Sequence, residues 1–184
     1  MKTSTSLLVA LLAMSWVVDT AAQSCGTGPY TTPTARFSNN EDGTVTDTRT
    51  GLIWKRCPEG FNLDDKGTPQ TLGDDTCVLA TTPYYTWFSA LQHAENTGYA
   101  GYHDWRVPNI KELMSIIEYR CHNPAFNIAV FPEPLPIMND YWTSSLDPET
   151  SGRSWDVDMD SGWTGTSSHL TTLTNYLLLV RRGL

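Results

Sequence analysis

Apolar residues fall along the chain in short, separate patterns, and each pattern predicts an element. The first is an apolar run over residues 7–18 (LLVALLAMSWVV), too short to cross a bilayer as a helix, which needs roughly 20 residues. Thr44, Val45 and Thr46 are β-formers, 48–51 carries turn residues, and Leu52, Ile53 and Trp54 suit a second strand. Together they predict a β-hairpin. Residues 58–76 have no apolar period and read as an acidic loop.

Two helices come next. Over 86–97, Thr86 is an N-cap, Trp87, Ala90, Leu91 and Ala94 share a face, and Gly98 sits where a left-handed C-terminal residue is expected. The second opens on Pro108-Asn109, and Asn109 with Glu112 has the spacing of a capping box. Ile110, Leu113, Met114 and Ile117 then recur at helical spacing, which predicts a helix reaching Arg120, ahead of Asn123-Pro124. Strands are predicted over 141–145, 154–160 and 176–182. In the second of these, Asp156, Asp158 and Asp160 alternate with Trp155, Val157 and Met159, the pattern of an acidic outer face. Strands, two helices, then strands make an α+β domain with a mostly antiparallel sheet. No repeat and no long linker divides it.

The opening run changes meaning once its flanks are included. Lys2 precedes it and Thr20, Ala21 and Ala22 follow, the layout of an export signal cleaved after Ala22. The expected organisation is a leader over 1–22, an extended lead-in over 23–36 and one domain over 37–184, in a protein exported to the periplasm, the cell surface or the medium. The net charge is −8, and removing Lys2 and Asp19 with the leader leaves it there. That balance argues against nucleic acid as a partner, and nothing beyond the leader suggests a transmembrane helix. Seven Trp and eight Tyr supply ample core material.

In an oxidising compartment the even count of Cys25, Cys57, Cys77 and Cys121 points to disulfides, and four cysteines allow three pairings. A metal site competes, but no CxxC pair is present to hold a tetrahedral ion. Cys57–Cys77 would staple the loop that has no apolar period, and Cys25–Cys121 would tie the lead-in to the body; this pairing is favoured.

Candidate chemistry is sparse. Asp156, Asp158 and Asp160 superficially resemble a calcium loop, but the sixth and twelfth positions hold Ser161 and Ser167 in place of Gly and Glu. On a strand, Asp156 and Asp160 would also stand about 13 Å apart. No cofactor is therefore expected, and Asp160, at the turn, is the one weak metal candidate. Asn139 and Asp140 before Tyr141-Trp142 are suited to paired sugar hydroxyls, with an Asx turn ahead of a buried Trp142 as the alternative. Trp163, beside a turn and outside any period, is the aromatic expected to be exposed, and it either lines a binding surface or folds over its loop. His93, His103, His122 and His169 are scattered, and neither HExxH nor GxSxG occurs.

Several segments together resemble the Lcl C-terminal domain family, named for the end domain of a Legionella collagen-like adhesin: DGTVTDTRTGLIWKRC, GYHDWRVPNIKELMSII, NPAFNIAVFP, YWTSS and YLLLVR. The resemblance implies a C-type-lectin-like single domain with adhesive or glycan-binding roles in some members. It also implies that Trp54, Trp105, Arg106, Pro108 and Trp142 define the fold. Asp104-Trp105-Arg106 leads into the capped helix, where a buried Trp and an Asp–Arg pair would fix its angle. No collagen repeat precedes the domain. Sulfated polyanions fit a chain of charge −8 only if Arg153, Arg181 and Arg182 form a patch.

The leading expectation is a secreted, non-enzymatic module that binds a glycan or a surface protein through 132–168, with Asn139, Asp140, Trp163 and Arg153 as contact residues. The alternatives are an enzyme of the formylglycine-oxidase kind, which needs a reactive thiol pair, and a structural domain of an envelope assembly.

Overall fold

The computed structural model describes residues 23–132, 140–170 and 172–183. The leader and Asn139 lie outside the described residues. Within them the strands are β1 (Ser24–Cys25), β2 (Phe37–Asn39), β3 (Thr44–Asp47), β4 (Leu52–Lys55), β5 (Phe61–Asp64), β6 (Thr76–Leu79), β7 (Cys121–His122), β8 (Asp140–Leu146), β9 (Arg153–Asp158), β10 (Thr164–Ser168) and β11 (Val180–Arg182). Two helices, α1 (Trp87–Asn96) and α2 (Ile110–Met114), sit between β6 and β7. These strands pair antiparallel, in the orders β11-β4-β3-β2, β10-β9-β8, β5-β6 and β1-β7, and an isolated parallel bridge joins Tyr176 to Tyr141 on β8. The fold is α+β.

Locally encoded elements form where the sequence places them. The β3–β4 hairpin pairs Val45 with Trp54, and Trp54 is fully buried. Thr86 caps α1 through Ser89 N–H, and Asn109 and Glu112 form the full capping box of α2.

Five expectations need correcting. The stretch 58–76 is not all loop: its flanks pair as the β5–β6 hairpin, which the Cys57–Cys77 bridge closes. Gly98 is not left-handed. Helix α1 ends on extended Thr97, and a Cβ at Gly98 would stand 2.7 Å from the His103 ring. Helix α2 stops at Met114, because the Glu118 N–H turns away to the Ala125 carbonyl and its carboxylate to the lead-in. The last strand is short: 176–179 runs irregularly before β11, although it is buried throughout. The fifth is the acidic face of β9, where Asp156 is only 3% exposed.

The reason for the last lies in the packing of β8–β10. On one face Tyr141, Val157 and Met159 join Leu113, Ile116, Ile117 and Phe126; on the other, Trp142 joins Trp87, Ala90, Trp105 and Leu177. A sheet covered on both faces buries its polar positions along with its apolar ones. The turn from β9 into β10 is pressed on this core, since a Cβ on left-handed Gly162 would meet Ile117 at 2.7 Å.

The lead-in is bound into the body. Cys25 pairs with Cys121 across β1–β7, and Cys57 with Cys77, as the favoured pairing has it. Thr31 and Thr32 then converge on Glu118.

Candidate functional site

Strand registers bring four side chains into one row. Asp140 on β8 is opposite Asp158 on β9, and the Asp158 N–H donates to the Trp163 carbonyl at the head of β10. On the other side of β8, the Tyr176 N–H donates to the Asp140 carbonyl and the Trp142 N–H to the Tyr176 carbonyl. Tyr176 is thereby aligned with Tyr141, and Asn175 with Asp140. Aligned residues on neighbouring strands share a face, so Asn175, Asp140, Asp158 and Trp163 succeed one another across the sheet. With strands about 4.8 Å apart, Asp140 and Trp163 are separated by about 10 Å, with Asp158 between them.

The row runs from wet to dry. Trp163 is 76% exposed, the most exposed large apolar side chain among the described residues. The turn below it is held by Asp158, whose Oδ1 accepts Asp160 N–H at 2.8 Å and whose Oδ2 accepts the Ser161 hydroxyl at 2.6 Å. Ser161 Oγ in turn accepts the Trp163 N–H at 3.3 Å. The indole is therefore presented from a fixed base. Asp140 is exposed, and its carboxylate has no hydrogen-bond or ion-pair partner among the described residues. Partial loss of hydration against the sheet, reinforced by Asp156 and Asp158, pushes its pKa above the usual carboxylate range. Asn175 is 5% exposed, and its Nδ2 has no hydrogen-bond partner among the described residues. The buried Asp156 lies one position further in, with Oδ2 unpartnered and its pKa raised by burial. Buried polar groups are normally satisfied; here several on one face are not.

The remaining sequence candidates separate from this row. Arg153 is at the far end of β9 on the other face, where its Nε donates to the Thr166 hydroxyl at 3.0 Å. It does not join the Trp163 surface. Arg181 is buried and pairs with Asp104 at 2.7 Å, while Arg182 is exposed elsewhere, so the three arginines make no patch. Asp160 has a buried, unpartnered Oδ1 and a pKa raised by burial and by Asp158. Among the described residues no group of three or more His, Cys, Asp or Glu is arranged to hold a metal ion, and no cysteine is free. No helix among them is long and apolar enough to cross a membrane.

Around the site stand the residues singled out for the fold. Trp142 is fully buried and its Nε1 donates to the Tyr85 carbonyl at 2.7 Å. Trp105, 3% exposed, donates to the Tyr99 carbonyl at 3.1 Å. Pro108 is buried and its carbonyl accepts Ser144 N–H at 2.8 Å. The expected Asp104–Arg106 pair does not form. Arg106 grips Glu112 with two bonds of 2.7 Å, and Asp104 reaches Arg181 instead. The residue missed altogether is Asn175: it lies in a polar stretch, TTLTN, with no motif or period to mark it.

Comparison with known proteins agrees with this framework. No curated protein matches the chain significantly. The model of the Lcl C-terminal domain matches residues 43–181, most of the chain, from the β3–β4 hairpin through α1 and α2 to β11, and the chain belongs to the Lcl C-terminal domain family.

Proposed function

We propose that this protein is an exported, non-enzymatic binding module that recognises a glycan on the Trp163 row, on a C-type-lectin-like framework over 37–184. The observation that carries the reading is Trp163: a large indole, 76% exposed, on a fixed turn in the same row as the exposed Asp140. Aromatic faces stack on the apolar faces of pyranoses, and a carboxylate such as Asp140 accepts from paired hydroxyls. Asn175 stands behind Asp140 with an unused donor. Affinity on this scheme comes from an aromatic anchor ringed by polar groups, not from net charge. Export is supported by the leader pattern and by two disulfides, bonds that persist in oxidising compartments.

A glycan array probed with the wild-type protein and with Trp163→Ala tests the reading. Wild type is expected to select a defined set of glycans and Trp163→Ala to lose them while its melting temperature stays put. Equal binding by both proteins would refute the site, and capture of a surface protein with no glycan bound would replace glycan by protein as the ligand.

A further inference from the structure

Away from the Trp163 row, three clefts join end to end. One of about 410 Å³ lies beside Arg49 and Tyr119, the next of about 560 Å³ beside Lys111, and the third of about 520 Å³ beside Leu91. Thr50 and Ser115 belong to both the first and the second, and Glu112 and Arg182 to both the second and the third. The three therefore adjoin along one stretch of surface, hereafter the groove.

Charge along this groove runs against that of the chain. Arg49, Lys111 and Arg182 are exposed, and none makes an ion pair or a side-chain hydrogen bond with a described residue. Their acidic neighbours are already engaged: Glu112 by Arg106 at 2.7 Å and Asp104 by Arg181 at 2.7 Å. Glu95, in the third cleft, is the lining carboxylate without such a partner. Arg182 shares Glu112 electrostatically with Arg106, but on a protein of charge −8 three exposed cations without a hydrogen-bonded acid among the described residues favour a negative partner.

The walls decide which kind. Leu91 and Met114, both half-buried, contribute to them, and Tyr119 stands 60% exposed at one end. Exposed charge pairs contribute little each, roughly 0–1 kcal/mol, so affinity has to come mainly from apolar contact while charge fixes register. A sugar polyanion has one ring to stack on here, Tyr119 at the end of the groove, and little to lay against the aliphatic Leu91 and Met114. An extended peptide turns alternate side chains to opposite sides, so it can lay apolar residues on the floor and acids against the cations. We propose that the groove is a docking site for an extended, acidic and partly apolar peptide segment of a partner protein, independent of the glycan surface.

The test uses the mature chain and a fluorescein-labelled eight-residue peptide alternating Asp and Val, read by fluorescence anisotropy at low salt. The combined variant Arg49→Ala, Lys111→Ala and Arg182→Ala is expected to bind about tenfold more weakly or worse. The same peptide with Asn for Asp is expected to bind wild type with a similar loss, and Trp163→Ala is expected to bind like wild type. Equal affinity for the Asp and Asn peptides, or no loss in the triple variant, would overturn the proposal. So would polygalacturonate binding more tightly than the peptide through the same three cations. Loss of peptide binding in Trp163→Ala would place the contact on the other surface and overturn it as well.

Discussion

Glu118 and Asp156 are both buried carboxylates, 1% and 3% exposed, yet their surroundings treat them in opposite ways. Burial works against the charge of Glu118, but it accepts from Thr31 N–H and hydroxyl, Thr32 N–H and hydroxyl, and Arg120 N–H at 2.7–3.1 Å. These donors outweigh burial and hold its pKa below the usual range. At Asp156 burial wins: Gly165 and Ser167 offset it only in part, Oδ2 is left without a donor, and the pKa rises. The first carboxylate is a joint that fastens the lead-in to the end of α2. The second belongs to a face where Asn175 also holds an unused group, beside the exposed Asp140 and Trp163. The saturated carboxylate holds the fold together, and the unsaturated one belongs to the face on which we propose that a ligand binds.

The largest effect should follow from removing the saturated member. Glu118→Ala strands the Thr31, Thr32 and Arg120 amides and should cost about 3 kcal/mol in chemical denaturation at pH 7. A loss below about 1 kcal/mol would break the contrast. Its pH sign is set by the lowered folded pKa. The stabilisation is complete above the unfolded value of about 4.3 and disappears as pH falls through the folded value.

Asp156 carries the opposite sign. Its folded pKa lies above the unfolded value of about 3.9, so its penalty is absent below that pH and develops as pH rises through the folded value. Asp156→Asn should therefore stabilise the protein by about 1 kcal/mol at pH 7, and the gain in melting temperature should vanish below about pH 4. A variant less stable than wild type at pH 7 would mean that the carboxylate is satisfied after all. The smallest effect is expected at Trp163, where replacement by Ala should change stability by no more than about 0.5 kcal/mol.

Features specified by neighbours in sequence were legible. The caps of α1 and α2 depend on residues three apart, the β3–β4 hairpin on a turn between β-formers, and the pairing of the cysteines on which stretch could not hold itself in place. Features fixed by distant partners were not. Asp104 chose Arg181, 77 positions away, over its near neighbour Arg106. Strand β10, with the sequence TGTSS, carries no apolar pattern because it gains its place through backbone pairing with β9. The acids of β9 alternate as an outer face does, but that face is covered where Asp156 lies opposite the buried Trp142 and open only toward Asp140 and Trp163. Trp163 was legible as an aromatic outside any period, and Asp140 through its place before a strand. Asn175 was not, because only the alignment of 175–177 along β8 brings it to the row.

The central claim is that an exposed indole and an unsatisfied amide on one row form the ligand surface. A heteronuclear NMR titration of the mature protein with an array-selected glycan tests it most directly. The account predicts that the Trp163 indole N–H and the Asn175 side-chain amide signals shift together and saturate at the same ligand concentration. Shifts confined to residues around Arg49, Lys111 and Arg182, with both of those signals unmoved, would contradict it.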